Sequence, residues 1–105
     1  MISAVPSGAP QSFTAISTGI TTISLAWQLP LPEERNGIIT GYTVSLSSVS
    51  SAETRRLTTT ATNLTVTSLT PYTTYECIIA VFTSIGEGPP SSIILVQTEE
   101  TSKFF

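Results

Sequence analysis

The sequence predicts an all-β protein folded as a seven-stranded sandwich, on three observations. Large apolar residues recur at every second position in short runs such as Ile23-Ser24-Leu25-Ala26-Trp27, as in strands with one buried face. Clusters of Pro, Gly, Asn and Ser interrupt those runs at short, even spacing. The stretch Leu69-Thr70-Pro71-Tyr72-Thr73-Thr74-Tyr75 has the make-up of a corner where one strand crosses to the other sheet. Leu69 would plug the core there, Pro71 would fix the bend, and Tyr75 would bury its ring while its hydroxyl returns to backbone just upstream. A buried hydroxyl needs such a partner, since leaving it unpaired costs about 1–3 kcal/mol. No helical period occurs anywhere in the chain.

Residues 1–9, rich in Pro, Gly and small side chains, read as a linker, and residues 99–105, ending in Lys103-Phe104-Phe105, as a linker or tail. The domain between them, 10–98, begins with Phe13-Thr14-Ala15-Ile16, whose Phe13 and Ala15 face inward. The second strand, Thr22 to Trp27, places Trp27 near the centre of the core. Residues 29–37 read as a loop, because two prolines, the charged trio Glu33-Glu34-Arg35 and an Asn36-Gly37 pair are all turn chemistry. The third strand is expected from Ile38 to Leu46, with Tyr42, Val44 and Leu46 inward. Glu53 to Thr58 is a weak, charged strand suited to a sheet edge. Leu64 and Val66 alternate into the corner, and Tyr75 to Val81 follows, with Cys77, Ile79 and Val81 sharing the inward parity of Tyr75. Residues 83–90 form a second loop, and Ile93 to Thr98 the last strand.

A chain of 105 residues makes one domain with a core that needs no metal or disulfide. Four basic against seven acidic side chains argue against nucleic acid or an anionic membrane surface, both of which require clustered Lys and Arg. No apolar run has the length of a membrane span, so direct membrane contact is not expected, and Met1-Ile2-Ser3-Ala4 does not read as a signal peptide. The chain has no His and no Asp, which removes the usual general base and the commonest metal ligand; no catalytic site, cofactor or metal is expected. Ser and Thr fill 34 positions, which suits strands and turns and also fits a mucin-like stalk, although the strand periodicity of Ile, Val and Leu speaks for a folded domain.

The order Trp27, Gly41-Tyr42-x-Val44, Leu69-x-Pro71-x-Thr73-x-Tyr75 and Gly86-x-Gly88-Pro89-x-Ser91 resembles the fibronectin type III domain over about residues 6 to 98. The stretch from Pro32 to Tyr42 is similar to repeats of receptor-type tyrosine phosphatases and neuronal cell-adhesion receptors. The resemblance implies an immunoglobulin-like sandwich of three- and four-stranded sheets, one of several repeats in a row, with its termini at opposite ends. The family's cell-binding Arg-Gly-Asp tripeptide would lie in the last loop, which here reads Ser84-Ile85-Gly86-Glu87-Gly88, so no integrin site of that kind is expected. Tyr72 departs from the family, which commonly carries Gly or another small turn residue there, and leaves the local turn type open.

Several residues are candidates for contacts. Asn63-Leu64-Thr65 fits the N-glycosylation rule, and an inward Leu64 turns Asn63 and Thr65 to solvent, although a chain so rich in Ser and Thr meets that rule readily by chance. If Cys77, Ile79 and Val81 face the core, then Ile78 and Ala80 face outward, with Ile93 and Leu95 beside them on the last strand. An exposed apolar strip of these four would pack against another domain or a second copy; isolated surface aliphatics are the competing reading. The two loops add Glu33, Glu34, Arg35, Ile85 and Glu87 as protein-contact candidates. Arg55-Arg56 points to both sides of one strand, which suits a solvated edge better than a joint anion site. Cys77 has no His to activate it and is expected, with Trp27, Tyr42, Leu69 and Tyr75, as core.

The expected function is a non-catalytic extracellular spacer and protein-interaction module of a cell-surface receptor or adhesion protein. Its partner would be a protein or a neighbouring domain of the same chain. An intracellular scaffold repeat of a muscle or cytoskeletal protein, or an accessory module of a secreted enzyme, stays open at this level.

Overall fold

The computed structural model describes residues 4–100, and their order of elements follows from the alternation just set out. Strands β1 (Gln11–Thr18) and β2 (Ile23–Gln28) precede a single helical turn, α1 (Pro32–Arg35). They are followed by β3 (Gly41–Ser48), β4 (Thr54–Thr59), β5 (Asn63–Val66), β6 (Thr74–Phe82) and β7 (Ile94–Gln97). One sheet has the order β1-β2-β5 and the other β4-β3-β6-β7. Every pairing is antiparallel.

The core is what the register brings together between the two sheets. Tyr42, Val44 and Leu46 on β3 stand opposite Val81, Ile79 and Cys77 on β6, and Tyr75 stands opposite Val96 on β7. Ile23 and Leu25 on β2 stand opposite Val66 and Leu64 on β5. All of these are buried except Leu64, which is half-buried against the same cluster. Trp27 meets Phe13 and Tyr42 edge-on, with ring centroids 6.2 and 5.4 Å apart, the offset geometry aromatic pairs prefer.

The corner closes as its composition predicts. Leu69 and Tyr75 are buried. The Thr70 amide donates to Tyr75 Oη at 2.9 Å, and that hydroxyl donates to Glu53 Oε1 at 2.7 Å, so the phenol is used both as acceptor and as donor. Thr98 ties the corner to the end of β7: its hydroxyl donates to the Thr70 carbonyl and accepts from the Thr73 amide. Tyr72 settles the turn left open above. It holds φ at 50°, a left-handed conformation in which a glycine lacks the Cβ clash, with its ring 63% exposed.

Two expectations are corrected. The 29–37 stretch is not all loop, because residues 32–35 turn helical: Pro32 opens the turn, Glu33 and Glu34 face its positive end, and Asn36 closes it at φ 56°. One turn is too short to leave a period in the sequence. The third strand begins at Gly41 rather than Ile38, and Ile38 is 81% exposed. Thr40 extends that pairing by one residue, its amide and its hydroxyl both donating to the Phe82 carbonyl. Residues 4–9 lie against the domain, and the Glu99 amide donates to the Gly19 carbonyl. The Lys103-Phe104-Phe105 tail lies outside the described residues.

Tyr75→Phe leaves the Thr70 amide without its acceptor and leaves Glu53 Oε1 with only the Thr70 hydroxyl as donor. A loss of about 1–3 kcal/mol in urea denaturation is expected; an unchanged midpoint would show that the ring alone holds the corner. Tyr72→Gly relieves the left-handed backbone and is expected to raise stability by about 1 kcal/mol in the same measurement.

Candidate protein-contact surfaces

The chain enters at one pole of the sandwich, and the entry segment is sewn to both neighbouring loops. Ala4 and Ser7 amides donate to the carbonyls of Asn36 and Glu34, each at 2.8 Å. Asn36 Nδ2 donates to the Val5 carbonyl at 3.1 Å, and Thr83 Oγ1 donates to the Ala4 carbonyl at 2.8 Å. Pro6 is fully buried, and Gly88 passes so close that a Cβ there would sit 2.7 Å from the Pro6 carbonyl oxygen. The segment, α1 and the 83–88 loop therefore form one packed surface. Large aliphatic side chains stand exposed on it: Val5 at 42%, Leu31 at 42%, Ile38 at 81% and Ile85 at 60%. Leu31 was not singled out by the sequence, because the polar and proline-rich stretch around it reads only as loop, and Ile38 was read as the start of a strand. Val5 lay inside an expected linker, and the one local signal of its docking is the small Gly88 that makes room for Pro6.

The loop candidates fall on this pole with unequal freedom. Glu33 is exposed, while Glu34 and Arg35 are half-buried. Arg35 Nε donates to the Pro30 carbonyl at 3.0 Å, which holds its guanidinium against the loop. Ile85 is open. Glu87 lies 3.7 Å from Arg56 across the four-stranded sheet, an exposed pair of the kind that contributes little to stability.

The strip expected from Ile78, Ala80, Ile93 and Leu95 is not continuous. Ala80 faces away from the core yet is only 6% exposed, which corrects its expected exposure, and Ile78 is half-buried. The cause is the chain after β6, which folds back beside it. Gly88 and Ser91 amides donate to the carbonyls of Val81 and Ile79, and Phe82 bridges to Glu87. Ile78, Ala80, Arg56, Glu87 and Pro90 consequently line one depression on the outer sheet face. Ile93 and Leu95 remain exposed at 58% and 65%, but Leu95 stands opposite Glu76, not opposite Ile78 or Ala80. These two aliphatics belong to the outer edge of β7.

Asn63 is exposed at the start of β5, opposite Ala26, and Thr65 Oγ1 lies 2.9 Å from Ser24 Oγ on the same outer face. Trp27, Tyr42, Leu69, Tyr75 and Cys77 are all buried. Burial pushes the Cys77 thiol up to about 12, so it stays protonated and a poor nucleophile at neutral pH. Burial likewise raises Tyr75, helped by its bond to Glu53, and raises Tyr42, which Arg35 partly offsets. Among the described residues no group of His, Cys, Asp or Glu side chains is arranged to hold a metal, and no helix is long and apolar enough to cross a membrane.

Two sheets with open outer strands and a docked entry segment define a β-sandwich module. The fibronectin type III domain model matches residues 8–97, and the chain belongs to that family. It is 39% identical over 101 residues to receptor-type tyrosine-protein phosphatase F of Bos taurus, covering 96% of this chain. It is 34% identical over 100 residues to the human cell adhesion molecule DSCAM, covering 91% of this chain. The chain spans 5% of the length of each of these relatives. Among solved structures, the FN5 domain of Drosophila Lar superposes with a TM-score of 0.75 at 29% identity, covering 90% of this chain and 98% of that one.

The buried thiol and phenols make stability fall on the alkaline side. Because the folded thiol titrates near 12 against an ordinary 9.0, its contribution is complete below pH 9 and is lost as pH rises from 9 towards 12. The two tyrosines add to the loss above pH 10. Urea midpoints measured between pH 7 and 11 should be level to pH 9 and then fall, with a slope approaching about 1.4 kcal/mol per pH unit from the thiol. Cys77→Ala should flatten the fall between pH 9 and 10; identical slopes in both proteins would contradict the assignment.

Proposed function

We propose that this domain is a non-catalytic spacer and protein-contact module in the extracellular part of a cell-surface receptor or adhesion protein, with a neighbouring module of the same chain seated on its entry pole. The observation that carries this reading is the packed entry surface. A free linker has no reason to bury Pro6 or to satisfy its backbone on two loops, and four exposed aliphatics around it suit a contact rather than open solvent. The chain leaves at the opposite pole, where the Glu99 amide meets the Gly19 carbonyl and the Glu99 carbonyl accepts from Tyr72. A rigid body between two such poles fixes the spacing and direction of whatever precedes and follows it. The extracellular placement is supported by the relatives, which include receptor-type phosphatases and a cell adhesion molecule.

The test uses this domain joined to the module before it in its parent chain. Ile38→Asp with Ile85→Asp should widen the spread of inter-module angles seen by small-angle scattering and lengthen the average particle. Both side chains are exposed, so the melting of the domain itself should change by less than about 0.5 kcal/mol. Unchanged inter-module geometry would overturn the seating on the entry pole.

A further inference from the structure

Each sheet has two outer strands, and an unpaired strand edge is a template for aggregation that folds must blunt. Strand β1 is interrupted by two register shifts, with Ser12 at φ 55°. Strand β4 carries Arg55 and Arg56. Strand β5, Asn63–Val66, has no charge, proline or bulge in its own run, and the same is true of β7. What distinguishes β5 is that it opens with Asn63-Leu64-Thr65.

We infer that Asn63 is an N-glycosylation acceptor and that its glycan covers the free edge of β5. The inference rests on the extracellular placement proposed above. The acceptor rule is met by sequence, and the geometry meets the harder requirement, that the folded domain tolerate the sugar. Leu64 and Val66 pair with Leu25 and Ile23 towards the core, so Asn63 and Thr65 lie on the outer face. Asn63 is exposed, and no hydrogen bond among the described residues engages its amide. Its cross-strand partner is Ala26, whose side chain ends one carbon from the backbone and leaves the space over the sheet open. Asn36, by contrast, fails on both counts: Ile38 occupies its third position and its Nδ2 is bound to the Val5 carbonyl.

The modification is a substitution at a sugar carbon. An oligosaccharyltransferase joins Asn63 Nδ2 to the anomeric carbon of a lipid-pyrophosphate-linked oligosaccharide. The bond from that carbon to the pyrophosphate oxygen breaks, the lipid pyrophosphate leaves, and the amide gives up one proton. No redox partner is involved. The product is a hydrated, branched group at the first residue of a four-residue edge, large enough to deny that edge to another strand.

The test is made on the full parent chain in cells that produce it. Surface biotinylation reports placement, and mass mapping of the peptide containing residue 63, before and after glycosidase treatment, reports the sugar. The expected result is a surface chain glycosylated at Asn63. Asn63→Gln and Thr65→Ala should both abolish the modification, and Thr65→Ser should keep it. A chain at the surface with bare Asn63 overturns this inference alone. A chain that never reaches the surface overturns the placement and, with it, the modification that needs the secretory route. For the edge itself, the secreted domain with and without Asn63→Gln is heated to the same fraction unfolded. A several-fold faster aggregation of the bare variant is expected, and equal rates would overturn the shielding role.

Discussion

Burying a phenol at the place where the chain changes sheets is the constraint on which the rest of this domain depends. Tyr75 stands fully inside, so its hydroxyl must find partners in the protein, and one of them is backbone of the turn it has just left. Meeting that demand fixes the path from Leu69 to Tyr75, and the path sets where β6 begins. Glu53 draws the start of β4 into the same network, and Thr98 draws in the end of β7. Tyr75 and Thr98 together tie three strands of the four-stranded sheet to the crossover from the other. The exposed Tyr72, held at a backbone angle that favours glycine, shows how strongly this closure is enforced, since the turn keeps its shape although its residue disfavours it.

At the opposite pole the closure is made by the entry segment instead. Its backbone groups bond to α1 and to the 83–88 loop, so two loops that a free-standing sandwich leaves independent are held by one strap. The strap explains why exposed aliphatics gather there without collapsing into the domain. Val5 and Ile85 are carried on backbone already committed to hydrogen bonds, and burying them inward would break those bonds. A contact with another folded body removes them from water without that loss.

Much of this was legible from the chain because alternation reports which side of a strand faces the core. It placed Trp27, Tyr42, Leu69, Tyr75 and Cys77 inside, and it identified β4 as an edge from Arg55 and Arg56. Alternation is silent on what lies over the other side. Ala80 points away from the core as its parity requires, yet it is covered, because irregular chain from Glu87 to Ser91 returns along β6 using amide bonds that leave no periodic mark. The same limit hid the docking of Val5 and Pro6, whose neighbours look like any flexible Pro-Gly-Ser stretch. Ile38 misled in the opposite direction: its β-branched side chain and the strand beyond it read as continuous, but pairing starts only at Gly41.

The outward surfaces then sort themselves by what protects them. Charge occupies the β4 edge, bulges distort the β1 edge, and the return of the chain covers the middle of the β6 face. Among the surfaces left are the entry pole, the short β7 edge with Leu95 and the preceding Ile93, and the β5 edge that begins at Asn63. On the reading proposed above, the pole and the β7 edge are two apolar places where another protein would gain by displacing water. The distance between these two surfaces is set by the sandwich between them, so on that reading a partner that engages both is selected by their spacing.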